Sequence, residues 1–178
     1  GTKKLNVGTN TINVKCKSGS GSTRTYKLTV VRKEAAKPTG TLSSTKYTVG
    51  DKYITGITPG TKASNFLTGL SVDGGTAKLV GANGKQNQGL AATGNKVEVY
   101  VDNKKKTSYE VVIYGDVNGD GEINVLDMIK VNRHILGLDK LSGVYLVAAD
   151  ANRKGDGLNV LDMIYINRHA LGLSTIKQ

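Results

Sequence analysis

The sequence predicts a multi-module chain, a β-rich N-terminal part followed by a helical C-terminal segment, and three observations carry that reading. Apolar residues alternate with period two through much of residues 1–114. The charge then changes: residues 1–114 carry 18 Lys and Arg against 6 Asp and Glu, a balance of +12, whereas residues 115–178 carry 7 against 8, a balance of −1. Finally, NVLDMIKVNRHILGL (124–138) recurs as NVLDMIYINRHALGL (159–173), identical at twelve of fifteen positions at a constant offset of 35. At 178 residues and 38% hydrophobic, the chain has material for tandem small modules with modest cores.

The first module, residues 1–36, reads as a hairpin. TINVKCK and TYKLTVV alternate around the flexible SGSGS, which places Ile12, Val14 and Cys16 on one face with Tyr26, Leu28 and Val30. The single cysteine excludes an internal disulfide, and its position predicts a packed thiol on the inward face. A lone hairpin is barely stable in water, so this one is expected either to complete a larger sandwich or to pack on its neighbour. LNVGTNTINV with GSTRTYKLTVVRK resembles the last strands of cadherin-like, immunoglobulin-like β-sandwich modules of large bacterial surface proteins. The opening GTKKLNVG lacks the apolar core of a signal peptide, so any export signal is expected outside this sequence.

KEAAKPTGTLSSTK mixes Pro, Gly, Ser and Thr without periodicity, and residues 37–46 are expected to be a linker. Residues 47–114 read as a small α+β unit: YTVGDKYITGI, a short helix around KASNFLTGL, then strands AKLV, KVEVYV and SYEVVIY, with KKK (104–106) in a turn. It holds no histidine, no tryptophan and no phosphate-loop spacing, which leaves a spacer, a scaffold or a binding surface. The lysines are scattered singly without an aromatic or arginine cluster, which argues for a solvated surface rather than nucleic-acid binding; attraction to acidic wall polymers or membrane surfaces is the other reading. No run of apolar residues is long enough to span a bilayer.

The last segment carries the chemistry. Counting Asp116 as position 1 puts Asn118 at 3, Asp120 at 5, Gly121 at 6, Glu122 at 7, Asn124 at 9 and Asp127 at 12. That is the spacing of a twelve-residue calcium loop: side-chain oxygens at 1, 3 and 5, a backbone carbonyl at 7 and a carboxylate at 12 from the following helix. Calcium takes about six to eight hard oxygen ligands in flexible geometry, which neutralises carboxylates crowded in this way. Position 12 is Asp where sensor loops use Glu, and VVIYG before the loop is a strand, so a calmodulin-like two-helix switch is disfavoured. The second loop, DANRKGDGLNVLD, is one residue longer: Asp150 and Asn152 hold positions 1 and 3, Lys154 falls on 5, and Gly157, Asn159 and Asp162 count back to 7, 9 and 12. Asp156 replaces the missing carboxylate if Arg153–Gly155 bulge out. This site is expected to bind calcium more weakly than the first.

The helices after the loops are too apolar for one buried stripe. Met128, Val131, Ile135 and Leu138 suit a core between the two copies. Val125, Leu126, Ile129 and Leu136, joined by Asn132 and Arg133, form a second face, repeated by Val160, Leu161, Ile164 and Leu171 with Asn167 and Arg168. That face reads as a protein-binding surface, or else as a surface that packs on the α+β unit. His134 and His169 are expected near solvent, interacting with the last carbonyls of their helices. No paired acid–base cluster stands outside the loops, and no Ser/His/Asp or Cys/His set exists, so an enzyme active site is not expected.

GDVNGDGEINVLDMIKVNRHILGL and ADANRKGDGLNVLDMIYINRHALGL resemble the duplicated segments of a type I dockerin, over residues 115 to about 175. The full expectation is thus an immunoglobulin-like hairpin and a small α+β unit followed by an all-α dockerin with two EF-hand-like calcium loops. The resemblance implies a non-catalytic module that, with calcium, attaches a secreted enzyme or surface protein to a cohesin domain of a scaffold protein in a cellulosome-like assembly. It implies a bacterial, extracellular setting, secreted or attached to the cell surface, and a parent protein that degrades or binds polysaccharide. Carried over by position, the cohesin contacts are Val125, Leu126, Asn132 and Arg133 in one copy and Val160, Leu161, Asn167 and Arg168 in the other. Positions 10 and 11, often hydroxyl residues in the family, are Val-Leu in both copies here, which implies a more hydrophobic interface. Near-identity of the copies implies binding in two orientations related by half a turn. The competing expectation is a calcium-stabilised stalk or adhesin segment, in which the outer helix faces would be polar.

Overall fold

The computed structural model of the chain describes residues 2–178 and divides into two compact units, one running to Lys37 and the other spanning Pro38–Gln178. The first unit is an antiparallel hairpin of β1 (Gly8–Lys17) and β2 (Thr23–Arg32). Its register pairs Ile12 with Leu28, Val14 with Tyr26 and Cys16 with Arg24, so the apolar residues share one face, as period two requires. That face is not an interior: Val14, Tyr26 and Leu28 are exposed, and so is Cys16, which corrects the expectation of a packed thiol. The physical reason is that a two-stranded ribbon has no second layer to bury its face against.

The second unit begins earlier than expected. Residues assigned to a linker form β3 (Leu42–Ser43), which pairs with β6 (Ser71–Val72), and Leu42 is buried. The Asp73 carboxylate accepts the Thr39 N–H at 2.9 Å and the Thr39 hydroxyl at 2.7 Å, so the polar composition of this stretch serves tertiary hydrogen bonds. A five-stranded sheet follows in the order β4 (Thr48–Val49), β5 (Tyr53–Thr55), β9 (Lys104–Val111), β8 (Lys96–Val101), β7 (Thr76–Val80), antiparallel except for the β5–β9 pair. Lys104–Lys106 open β9 instead of forming a turn. The turn is Asp102–Asn103, both at positive φ (48° and 59°), the conformation a tight two-residue hairpin favours and Asn and Asp tolerate. Val97, Val99 and Val101 point inward with Leu79 and with Phe66 of α1 (Ala63–Thr68), whose ring packs on Tyr47 at 5.0 Å. Lysines occupy the outer face, where Lys78 lies over the Tyr100 ring and Lys105 pairs with Glu98.

Past β9 the chain runs directly into the C-terminal segment, where α2 (Val125–Ile135) and α4 (Val160–Ala170) pack together. Val131 and Ile166, equivalent in the duplication, are both fully buried, and Met128 and Met163 lie partly buried beside them. Ile135 and Leu138, expected in this core, are exposed, because the helix contact is short and the chain turns away at Gly137. A third helix, α3 (Gly143–Ala149), was not anticipated. Its signal lies in Val144, Val147 and Ala148 at i, i+3 and i+4, too short a pattern to separate from a loop. Val144 and Ala148 pack on Val112, which explains why Val111, Val112 and Ile113 are all buried: one side of the strand's exit faces the sheet core and the other faces α3. A single apolar cluster runs from Phe66, Leu79 and Val99 through Val117 and Ile123 to Val131, Ile166 and Ile176, so the α+β unit and the helical segment share one core.

Candidate metal and docking sites

Each calcium-type loop ends on a helix start built by the same two residues. Asn124 Oδ1 accepts the Leu126 N–H at 2.8 Å while Asp127 Oδ2 accepts the Asn124 N–H at 2.9 Å; Asn159 and Asp162 repeat this with Leu161 at 2.8 Å and 3.0 Å. The other carboxylate oxygen reaches back into the loop: Asp127 Oδ1 accepts from Val117 (2.8 Å) and Asn118 (3.0 Å), and Asp162 Oδ1 from Asn152 (3.0 Å). Position 12 thus ties the loop's beginning to its end, and an Asp reaches because it is the third residue of its helix.

The two loops differ in how they hold their remaining acids. In the first, Asp116 is fully buried, its Oδ1 accepting from Gly119 (2.8 Å) and Asp120 (3.2 Å) and its Oδ2 from Gly121 (3.1 Å) and Thr93 (2.8 Å). Burial pushes the Asp116 carboxyl up to about 6, against the pull of these N–H groups, with the charges of Asp127 and Asp120 adding to the rise. Asp127 is raised by burial as well. Asp120 is exposed and accepts from Asn118 Nδ2 at 2.7 Å, and Glu122 is exposed, its backbone N–H donating to Asp120 Oδ1 at 2.9 Å.

In the second loop, Arg153 and Gly155 adopt positive φ (56° and 65°), and residues 153–157 are all exposed. Asp150, Asp156 and Asp162 each bring one carboxylate oxygen within 4.8 Å of the others, a convergence that the acids of the first loop do not reach. Asp150 Oδ2 also accepts from Gly155 (3.0 Å), and Asn159 Nδ2 donates to the Gly157 carbonyl (3.0 Å). Asn152 Nδ2 is buried without a hydrogen-bond partner. Three carboxylates, an asparagine and backbone carbonyls form an all-oxygen, hard donor set, which fits a calcium-like cation and not a soft metal.

The histidines take no part. The Nδ1 atoms of His134 and His169 accept the N–H of Leu141 (2.8 Å) and Ile176 (3.1 Å), seven residues further on, so they fasten the return chain rather than the last helical carbonyls. Accepting at Nδ1 requires an unprotonated nitrogen there, and burial lowers the pKa of His169 in the same sense.

On the outer helix faces, Val125, Leu126, Val160 and Leu161 are 53%, 54%, 52% and 49% exposed. Ile129, Leu136, Ile164 and Leu171 are exposed beside them, as are Asn132, Arg133, Asn167 and Arg168. The α+β unit does not cover this surface; its contacts are with the first loop and with α3.

Two loop–helix units of the calcium-loop kind, related by duplication around one buried contact and with matched apolar faces left open, define a class of ion-dependent docking module. Residues 114–171 match the family model of the dockerin type I domain, and the C-terminal part of this chain is a type I dockerin. Dockerins are non-catalytic, bind calcium, dock to cohesin domains and occur in secreted proteins of cellulosomes. No curated protein and no solved structure matches the chain. Among the described residues no helix is long and apolar enough to cross a membrane.

Proposed function

We propose that this chain docks its parent protein onto a cohesin domain of a cellulosome-like scaffold through the paired outer faces of α2 and α4, in either of two orientations, with a calcium ion in each loop. Asp116, Asn118, Asp120, Asp127 and the Glu122 carbonyl hold the first ion. Asp150, Asn152, Asp156, Asp162 and the Gly157 carbonyl hold the second. When bound, the ions neutralise the loop carboxylates and fix the entry of each helix. The cohesin-facing residues are Val125, Leu126, Ile129, Asn132, Arg133 and Leu136, with Val160, Leu161, Ile164, Asn167, Arg168 and Leu171 as their counterparts.

The observation that carries the reading is the near-equal exposure of the duplicated apolar face, since Val125 and Val160 differ by a single percentage point. Isolated exposed Val or Leu is ordinary, but a repeated patch with an arginine at its rim has the anatomy of an interface core. The same patch weighs against the stalk reading, which has no use for apolar outer faces. Residues 47–114 serve as a dockerin-associated module that shares the dockerin's core, the hairpin of residues 1–36 is the end of an immunoglobulin-like module, and the protein works outside a bacterial cell.

Calorimetric titration of the chain with a panel of cohesin domains, first in calcium and then in excess chelator, tests this. Tight binding lost in chelator is the expected result; calcium uptake with no cohesin bound would favour the stalk. For the two orientations, Leu126→Ala with Arg133→Ala leaves binding largely intact, as does Leu161→Ala with Arg168→Ala. All four changes together cost at least ~2 kcal/mol, the scale of a lost interface hot spot. Loss of all binding on changing the first copy alone would rule out the second orientation.

A further inference from the structure

Beside the first loop the α+β unit does more than share a core. Its segment 89–95 is buried from Ala91 to Asn95 and lies directly against Gly119–Gly121. The Thr93 N–H donates to Asp116 Oδ2 at 2.8 Å, and the Gly60 N–H donates to the Gly121 carbonyl at 2.8 Å. The approach leaves no clearance: a Cβ on Gly121 would stand 2.7 Å from the Ala91 carbonyl oxygen, and one on Gly119 would stand 2.9 Å from that of Thr93.

The segment is itself locked. Thr93 Oγ1 accepts the Ile113 N–H at 3.1 Å and donates to the Ile113 carbonyl at 3.2 Å, and that carbonyl also accepts the Asp116 N–H at 3.0 Å. Asn87 Nδ2 holds the turn through Asn95 Oδ1 and the Leu90 carbonyl, both at 2.6 Å. The second loop has no such wall; Cβ atoms on Gly155 and Gly157 would meet nothing within 4 Å.

We propose that residues 58–61 and 89–95 are the outer wall of the first calcium site, with Thr93 as its positioning residue, so that ion binding there and closure of the five-stranded sheet are one coupled equilibrium. The proposal rests on the reading of the first loop as a calcium site. An ion ligated by Asp116 is felt by Thr93 through the carboxylate's other oxygen, and Thr93 passes that constraint to Ile113 and the end of β9. The second site is coupled to the sheet only weakly. Linkage then requires that calcium stabilise the α+β unit, and that loosening the wall weaken calcium at one loop only.

The test uses the full chain and calcium alone. Hydrogen exchange in calcium and in excess chelator is expected to show Val97, Val99 and Val111 losing protection on chelation, together with loop 116–127. In a calcium titration followed at the amides of Gly121 and Gly157, Thr93→Val keeps the N–H donor to Asp116 but removes the Oγ1 bonds to Ile113 that position it, and so shifts the Gly121 midpoint by roughly 10-fold, the low end for a disturbed outer-shell partner, and leaves Gly157 unmoved. Thr93→Ser, which keeps the hydroxyl, restores the midpoint. A Gly121 titration unchanged by Thr93→Val, with sheet protection indifferent to calcium, would overturn the coupling while leaving the calcium site intact. A Gly121 amide that does not respond to calcium at all would remove the site, and the coupling with it.

Discussion

The two calcium-type loops come from one duplicated motif and end in matching capping boxes, yet they are differently supported. The first leaves a strand, is roofed by residues 89–95 and buries Asp116 completely. The second leaves α3, stands largely in solvent from Arg153 to Gly157 and brings its three carboxylates together. The first loop is held by its neighbours, whereas the second is held mainly by hydrogen bonds within itself. The N–H donors around Asp116 offset the cost of its burial, while the second loop buries Asp162 alone and keeps Asp150 and Asp156 nearer water.

The comparison is broken or sharpened most strongly at the glycines. Gly121→Ala places a Cβ against the backbone of Ala91 at φ +89° and is expected to cost about 2–5 kcal/mol, the sum of left-handed strain and overpacking. Gly157→Ala, at φ +81° with open space around it, carries only the strain, about 1–2 kcal/mol. Urea denaturation of both variants in calcium reads the difference, and equal losses would erase the contrast. Next in size, Asp156→Asn removes a charge from the second cluster and is expected to weaken calcium there by roughly tenfold, with the first loop unaffected, in a site-resolved titration. An unchanged second site would show that the bulge does not recruit Asp156. Smallest is Arg153→Ala, which removes a guanidinium lying 4.7 Å from the centre of the Tyr114 ring and so loosens the second loop's hold on the body. It is expected to lower stability by about 0.5–1 kcal/mol in thermal melts, and no loss would mean that the bulge is free of the fold.

Much of the C-terminal segment was legible because its signals are local. The acid spacing of both loops, the helix that follows each and the outer apolar face follow from position and period alone. Ile135 and Leu138 misled because a helical wheel shows which residues are apolar, not where the partner helix ends. α3 was missed because its seven residues satisfy only one turn of periodicity and are stabilised by Val112, remote in sequence. Cys16 and the hairpin face show the converse: period two identified the face correctly but could not say that nothing in that unit covers it.

By itself the sequence determined the acid spacing and the strand alternation, which depend on residues a few positions apart, and the duplication, which is a repeat at a fixed offset of 35. Only the tertiary structure decided that Leu42 belongs to a sheet rather than a linker, that Asp156 meets Asp150 and Asp162, and that Thr93 reaches Asp116. Those outcomes depend on how a shared core folds distant segments together, and backbone N–H groups, which every sequence carries alike, make the decisive contacts.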